Sequence, residues 1–199
     1  MNNIKKEVKS KILEYSNDTY LDGYIKNEFL TNKGDANIYI RLNNINNLFD
    51  QRTIGNQRDL NNEIYDYIDQ KTSILNNDVQ INFHILGVDL SQNEKEKVIH
   101  LVKEHYAIEL YKTQKKFKRY KNKILKLILI GVLFSILYLF VSYFFSSMLL
   151  LELFSFLFSF SLWEAFDCVI FDFSNIKLER ESITQKLLMD IMFDNSDID

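Results

Sequence analysis

The chain has 199 residues, with 24 Lys and Arg against 27 Asp and Glu, no proline and one cysteine. A single cysteine excludes an intrachain disulfide framework, the length sets a prior of one or two domains, and a hydrophobic share of 47% excludes a disordered chain. The charge is divided: residues 1–126 carry 21 basic and 17 acidic side chains and residues 127–199 carry 3 and 10, so the net −3 averages two unlike halves and does not specify a partner.

No secretory leader is expected, because "MNNIKKEVKSKILEYSND" never gathers an apolar run of the required length. Residues 3–15 place Ile4, Val8 and Ile12 on one stripe and predict a short amphipathic helix. "YIKNEFL" (24–30), ahead of the turn at Asn32-Lys33-Gly34-Asp35, predicts a hairpin strand. "ANIYIRL" (36–42) alternates, with Ile38, Ile40 and Leu42 on one face and Asn37, Tyr39 and Arg41 on the other. "VQINFHIL" (79–86) does the same, so both predict half-buried strands, with His84 pointing off the open face. Between them "DLNNEIYDYIDQKTS" (59–73) predicts a helix with Leu60, Ile64, Tyr67 and Ile68 on its apolar stripe and Asp59 as its N-cap. Strand, helix and strand in that order predict a crossover joining parallel strands.

The segment "LFDQRTIGNQRDL" (48–60) follows the C-terminal end of a strand and opens a helix, where α/β units place ligands. Asp50, Arg52, Arg58 and Asp59 are therefore candidate ligand-binding residues. The competing reading is a capped loop held by local ion pairs.

A long helix is predicted from about Gln92, with Ser91 as N-cap. Neither Pro nor Gly interrupts Ser91–Ile130, so it is expected to run without a break into the next segment and couple the two rigidly. Leu127–Phe145, "LILIGVLFSILYLFVSYFF", is 19 residues without a charge. As a helix it reaches about 28 Å, close to the roughly 30 Å of bilayer hydrocarbon. After Ser146-Ser147 the apolar character resumes at Met148 and lasts to about Phe171. A pair of core helices is the competing reading, but so small a core could not wrap helices apolar on every side.

Lys112–Lys126, "KTQKKFKRYKNKILK", holds eight basic residues and no acid. Positive residues beside a span stay in the cytoplasm, which predicts cytoplasmic N-terminal residues. The short serine link returns the second span, so both termini are expected there. The basic run is read as a contact for anionic lipid headgroups rather than nucleic acid. Trp163 is an expected interface anchor, with Glu164, Asp167 and Asp172 at or beyond the inner headgroups. Pairing of Lys123 or Lys126 with Glu164 or Asp167 would fasten the hairpin at its base.

Within the spans Gly131, Ser135, Tyr138 and Ser142 share one helical face, and Glu152, Ser155, Ser159, Trp163 and Asp167 share another. These faces are expected to form the membrane seam, packing the hairpin on itself or on neighbouring copies. Glu152 is either a functional group within the span or a residue of the outer headgroups.

Motifs for chemistry are few. In "HLVKEH" (100–105) neither zinc-protease spacing is met, and Gly23, Gly34, Gly55, Gly87 and Gly131 are each isolated, so no phosphate loop forms. Cys168 reads as a free thiol, with palmitoylation near the interface as the alternative. No catalytic residue, cofactor or metal is predicted, and the chain is not expected to be an enzyme.

"LFD" (48–50), "RDL" (58–60) opening a helix with "YDYI" (65–68), and "LWEAFD" (162–167) followed by Phe171 and Asp172 form a recognisable set. The chain resembles a family of uncharacterised bacterial two-span integral membrane proteins with a small cytoplasmic α/β domain, over roughly residues 36–190. It differs at "QRTIGNQ", where the family carries a proline-containing loop. The resemblance implies an inner-membrane location and no assigned activity.

The expected fold is therefore α+β: a small cytoplasmic β-α-β domain (1–91), a basic connecting helix (92–126), a transmembrane helical hairpin (127–173) and an acidic cytoplasmic tail (174–199). The expected function is an integral membrane protein whose cytoplasmic domain binds a protein partner or drives homo-oligomer assembly, without catalysis. The alternative is a membrane-perturbing or pore-forming effector gated by that domain.

Overall fold

The structure, a computed structural model, describes residues 23, 25, 28–31, 34–53, 59–145 and 147–194. Its elements are β1 (Ala36–Arg41), α1 (Asn62–Thr72), β2 (Ile81–Leu86), α2 (Gln92–Phe144), α3 (Met148–Asp167), α4 (Ser174–Leu188) and β3 (Asp190–Asp194). A 3-10 turn occupies Ile45–Asn47 and a π-helical turn occupies Cys168–Phe173. The architecture mixes helix and sheet, and the chain divides into two compact units, Met1–Ala107 with Thr184–Asp199, and Ile108–Ile183.

The first unit is built on a parallel sheet in the order β1-β2-β3. Ile38 lies opposite Phe83 and Ile40 opposite Ile85, while Phe83 and Ile85 face Ile191 and Phe193 on the other side. The alternation in β1 and β2 sends Ala36, Ile38, Ile81, Phe83 and Ile85 into the core with Ile64 and Ile68 of α1 and Val98 and Val102 of α2. Each large apolar side chain buried this way contributes about 1.5–3 kcal/mol. As expected, α1 is the crossover between parallel β1 and β2.

Helix starts follow local chemistry. The cap of α1 is Asn61, whose side chain accepts from Glu63 N at 3.2 Å, and not Asp59. Asp59 is taken by Leu60 N at 2.7 Å and by the Tyr65 hydroxyl at 2.9 Å, so it anchors the preceding loop instead. Helix α2 opens on a capping box: the Ser91 hydroxyl accepts from Glu94 N at 3.4 Å, and the Glu94 carboxylate accepts from Ser91 N at 3.0 Å. It then runs unbroken for 53 residues.

Two expectations need correction. The described residues of 24–30 do not form a hairpin strand. Ile25 and Glu28 are helical, Phe29 N and Leu30 N bond to Ile25 O at 3.0 and 3.1 Å, and only Leu30 bridges Ala36. Once those donors close a local turn they are lost to a ladder with β1. The stretch after residue 173 is not a bare tail either, since it forms α4 and the third strand. The helix expected over 3–15 lies outside the described residues.

Polar contacts, most of them part-buried, fasten this C-terminal segment into the first unit. Lys103 Nζ donates to Leu187 O at 2.6 Å and Met189 O at 2.5 Å, meeting the open carbonyls of the last turn of α4. Gln185 donates to Asn76 O and Val79 O at 2.8 and 2.7 Å. Lys186 pairs with Asp69 at 2.7 Å, and the Tyr106 hydroxyl donates to the same carboxylate at 3.1 Å. Burial pushes the Tyr106 hydroxyl well above the usual tyrosine range and holds the Lys103 ammonium below the usual lysine range, with Asp190 opposing the latter. Met189 is completely buried.

The turn after β2 depends on Gly87, at φ +81°, where an added Cβ would meet Leu42 O at 2.6 Å. Gly87→Ala is expected to destabilise the protein by about 1–2 kcal/mol from the left-handed backbone alone, with the clash adding to it. A lower midpoint in denaturant unfolding of the full chain in detergent checks this.

Candidate functional site

The second unit is an antiparallel helical hairpin. As α2 is followed toward its C-terminus, its partners recede along the returning chain. Thr113 and Lys116 bond Glu179 at 3.0 and 2.9 Å, and Phe117 meets Phe173 with ring centroids 4.5 Å apart. Lys123 pairs with Glu164 at 2.9 Å, Gly131 faces Ser161 and Leu162, and Phe134 approaches Phe154. The Lys116 ammonium, and then the Thr113 hydroxyl, hold the Glu179 carboxyl below the usual range. Of the pairings considered for the base of the hairpin, Lys123–Glu164 forms, and the bond from Glu164 raises the Lys123 ammonium above the usual lysine range.

On α2 the seam includes Gly131 and Val141, both buried, with Ser135 half-buried and Tyr138 and Ser142 exposed. On α3 it is Ser161 and Ala165, followed by Cys168 in the π-helical turn, all buried. Glu152, Ser155, Ser159, Trp163 and Asp167, expected to be the seam of the second span, lie roughly half a turn around the helix from it and are exposed. The reason is steric. Where Gly131 leaves space, Ser161 and Leu162 fit, and a second stripe of small residues at 161, 165 and 168 was available to meet it. The thiol of Cys168 is thereby enclosed.

The displaced polar stripe is not scattered. Tyr138, Glu152, Ser155 and Ser159 line one groove of about 490 Å³ together with Met148 and Phe156. Around it the hairpin is apolar and open: Leu139, Tyr143, Leu149 and Trp163 are 63%, 83%, 80% and 69% exposed. Both helices are long and apolar enough to cross a membrane, and only 11% of the most apolar stretch of each is buried within the chain. A core helix of a soluble fold is mostly covered.

The described residues of 48–60 are joined to one another by hydrogen bonds and an ion pair. Asp50 accepts from Arg52 Nη2 at 2.8 Å, Nε at 3.0 Å and its backbone N at 2.9 Å, and the guanidinium holds the carboxyl below the usual range. Thr53 Oγ1 donates to Asp50 O and accepts from Asp59 N, and Asp50 N bonds Asp59 O at 2.9 Å. Asp50, Arg52 and Asp59 are thus brought together by bonds that occupy the acids; Arg58 lies outside the described residues.

A constellation that was only partly visible in the sequence sits on the opposite face of the sheet. His84 Nδ1 lies 2.7 Å from Asp194 of β3, and its ring stacks on Tyr39 of β1 with centroids 4.7 Å apart. Asn37 donates to the Tyr39 hydroxyl at 3.2 Å and accepts from Asn82 at 3.1 Å. The three strands therefore share one polar row that remains half-exposed. The outward position of His84 was legible from alternation, whereas Asp194 was not, because nothing in "DIMFDNSDID" marks it as a neighbour 110 positions away. His105, in the suspected "HLVKEH" segment, stacks on Tyr65 at 3.8 Å, while His100 and Glu104 lie 3.6 Å apart in the open. Among the described residues no three His, Cys, Asp or Glu side chains are grouped to hold a metal.

Comparison with protein-family models, curated proteins and solved structures finds no match to this chain. The resemblance in "LFD", "RDL" and "LWEAFD" is carried by those residues alone.

Gly131 offers the sharpest test of the seam. An alanine there would make only ordinary contacts, 3.4 Å to Leu162 and 3.6 Å to Ser161, whereas a leucine would overfill the space. Gly131→Ala is expected to leave thermal stability in detergent nearly unchanged, and Gly131→Leu to cost about 1–3 kcal/mol. Equal behaviour of the two variants would contradict the packing described.

Proposed function

We propose that this chain is a two-span integral protein of the bacterial inner membrane whose sheet-containing unit lies in the cytoplasm and binds a protein partner or drives self-assembly, without catalysing a reaction. The observation that carries this reading is the pairing of β2 with β3. Ile81–Leu86 precedes both apolar helices and Asp190–Asp194 follows them, yet the two strands share one parallel ladder. If the helices cross a bilayer, the segments before and after them must meet on the same side. An even number of crossings satisfies this, and a single crossing does not.

Further support comes from the flanks. The eight basic residues of Lys112–Lys126 stand directly before the first apolar stretch, which favours the cytoplasm for that side. The many large apolar side chains left exposed along α2 and α3 suit lipid. The half-exposed row Asn37, Tyr39, His84 and Asp194 supplies hydrogen-bonding and aromatic groups on a rigid sheet, as partner-binding surfaces do. The exposed stripe along Tyr138, Glu152, Ser155 and Ser159 suits contact with another copy in the membrane.

The same groove favours a second reading, a membrane-perturbing or pore-forming effector gated by the cytoplasmic unit. An acid beside hydroxyls on a lipid-exposed helix is costly unless copies assemble around it or it lies among headgroups.

Topology is tested in a Cys168→Ser background with single cysteines at Ser147→Cys and Gln92→Cys. A membrane-impermeant maleimide applied to intact spheroplasts should label position 147, while position 92 should react only after lysis. Labelling of position 92 in intact cells would overturn the orientation, and release of the protein by alkaline carbonate would overturn the membrane reading. For the second reading, dye-loaded vesicles containing the full chain should leak, and Glu152→Gln should change the leak several-fold. Vesicles that stay tight would exclude it.

A further inference from the structure

Where the charge of α2 gives way to its apolar stretch, Arg119, Asn122, Lys123, Lys126 and Leu127 line a recess of about 390 Å³. Their spacing of i, i+3, i+4, i+7 and i+8 stacks them on one face of a continuous helix, so they are held at fixed separations. Leu127 is also the first residue of the 19-residue uncharged stretch. The recess thus straddles the boundary between the polar and apolar parts of the helix.

Its charges are unevenly used. Lys123 is turned to Glu164 at 2.9 Å, which fixes its ammonium against α3. Arg119 and Lys126 are exposed, and neither has a carboxylate partner among the described residues. Counting Glu164, three cations face one acid, so the lining keeps a net of two positive charges. The guanidinium of Arg119 presents a planar fork suited to two oxygens of one phosphate, and the Lys126 ammonium adds a point charge about two turns further along. Asn122 offers an uncharged amide donor, and Leu127 an apolar edge for whatever is attached to the phosphate.

We propose that Arg119, Asn122 and Lys126, with Lys123 anchored by Glu164, bind the phosphate of an anionic phospholipid headgroup as a defined site rather than as part of a diffuse basic surface. The site rests on the bilayer reading above and adds a ligand class and named contacts to it. Free inorganic phosphate shares the chemistry but has no part that would use Leu127 or the adjoining apolar surface, so the lipid is the favoured source.

The test uses the full-length protein purified in detergent, with native mass spectrometry of added phosphatidylglycerol or phosphatidylcholine. Wild type should retain one phosphatidylglycerol in preference to phosphatidylcholine. Arg119→Gln with Lys126→Gln should lower the retained fraction about tenfold, the loss expected for two solvent-exposed charge contacts. Lys118→Gln with Lys121→Gln removes the same charge from other faces of the helix and should change it less than about twofold. Equal loss in the two double variants would show diffuse attraction and overturn the site. So would retention unchanged in the first variant, or displacement of the lipid by inorganic phosphate at equal concentration. Carbonate extraction of each variant is scored separately: a wild type that leaves the membrane refutes the parent reading, whereas variants that stay inserted but lose the lipid preference support the site.

Discussion

Parallel pairing of β2 with β3 is the constraint on which the remaining architecture depends. A parallel ladder cannot be closed by a tight turn and requires a crossover that brings the chain back to the same end of the sheet. Between β1 and β2 that crossover is the ordinary helix α1. Between β2 and β3 it consists of α2, the hairpin and α4, so the whole second unit is an excursion inserted into a β-α-β motif. The length of the excursion is not dictated by the sheet, but its return is.

The contacts that secure this return are polar as well as apolar. Met189 fills the core, while Lys103 reaches the last carbonyls of α4 and Asp69 receives both Lys186 and Tyr106. Buried polar groups need partners with good geometry, and removing one member leaves another uncompensated. Such groups make the docking of residues 184–194 selective in register: a shift of one residue would send Ile191 and Phe193 to the polar face and separate His84 from Asp194. The open face of the sheet is therefore completed only when the chain has passed through both apolar helices.

Along the hairpin, packing and surface chemistry are separated on α3. Ser161 and Ala165, continued by Cys168, allow close approach to Gly131, and the stripe with Glu152, Ser155 and Ser159 faces outward. Hydroxyls and an acid facing outward have a different use from hydroxyls inside a contact. In the bilayer reading they must meet headgroups, water or another protein, because hydrocarbon offers them nothing. At the other end of the hairpin the basic segment is only partly neutralised, by Glu109, Glu164 and Glu179, which leaves cations available at the level where headgroups would lie in the bilayer reading.

Local patterns were sufficient for much of this protein. Alternation in 36–42 and 79–86 located two strands and their inward faces, because a period of two depends only on the pleat. Ser91 marked the start of the long helix, and the 19 uncharged residues from Leu127 marked the first apolar helix. Residues distant in sequence were another matter. The third strand was hidden because its three apolar residues, Ile191, Met192 and Phe193, are consecutive and do not alternate, and it forms because β2 offers a free edge and Lys103 holds the preceding turn. Two stripes of small residues on α3 were equally compatible with helical periodicity, and the fit of Ser161 and Leu162 against Gly131 selected one. Asp50 and Arg52 could be read from the sequence either as ligand groups or as a local ion pair, and they form the pair. Periodicity, capping and hydropathy follow from neighbours along the chain and so are written in it directly; which faces meet, and which charges are left over, follows from steric fit and competition among partners that only the folded chain brings together.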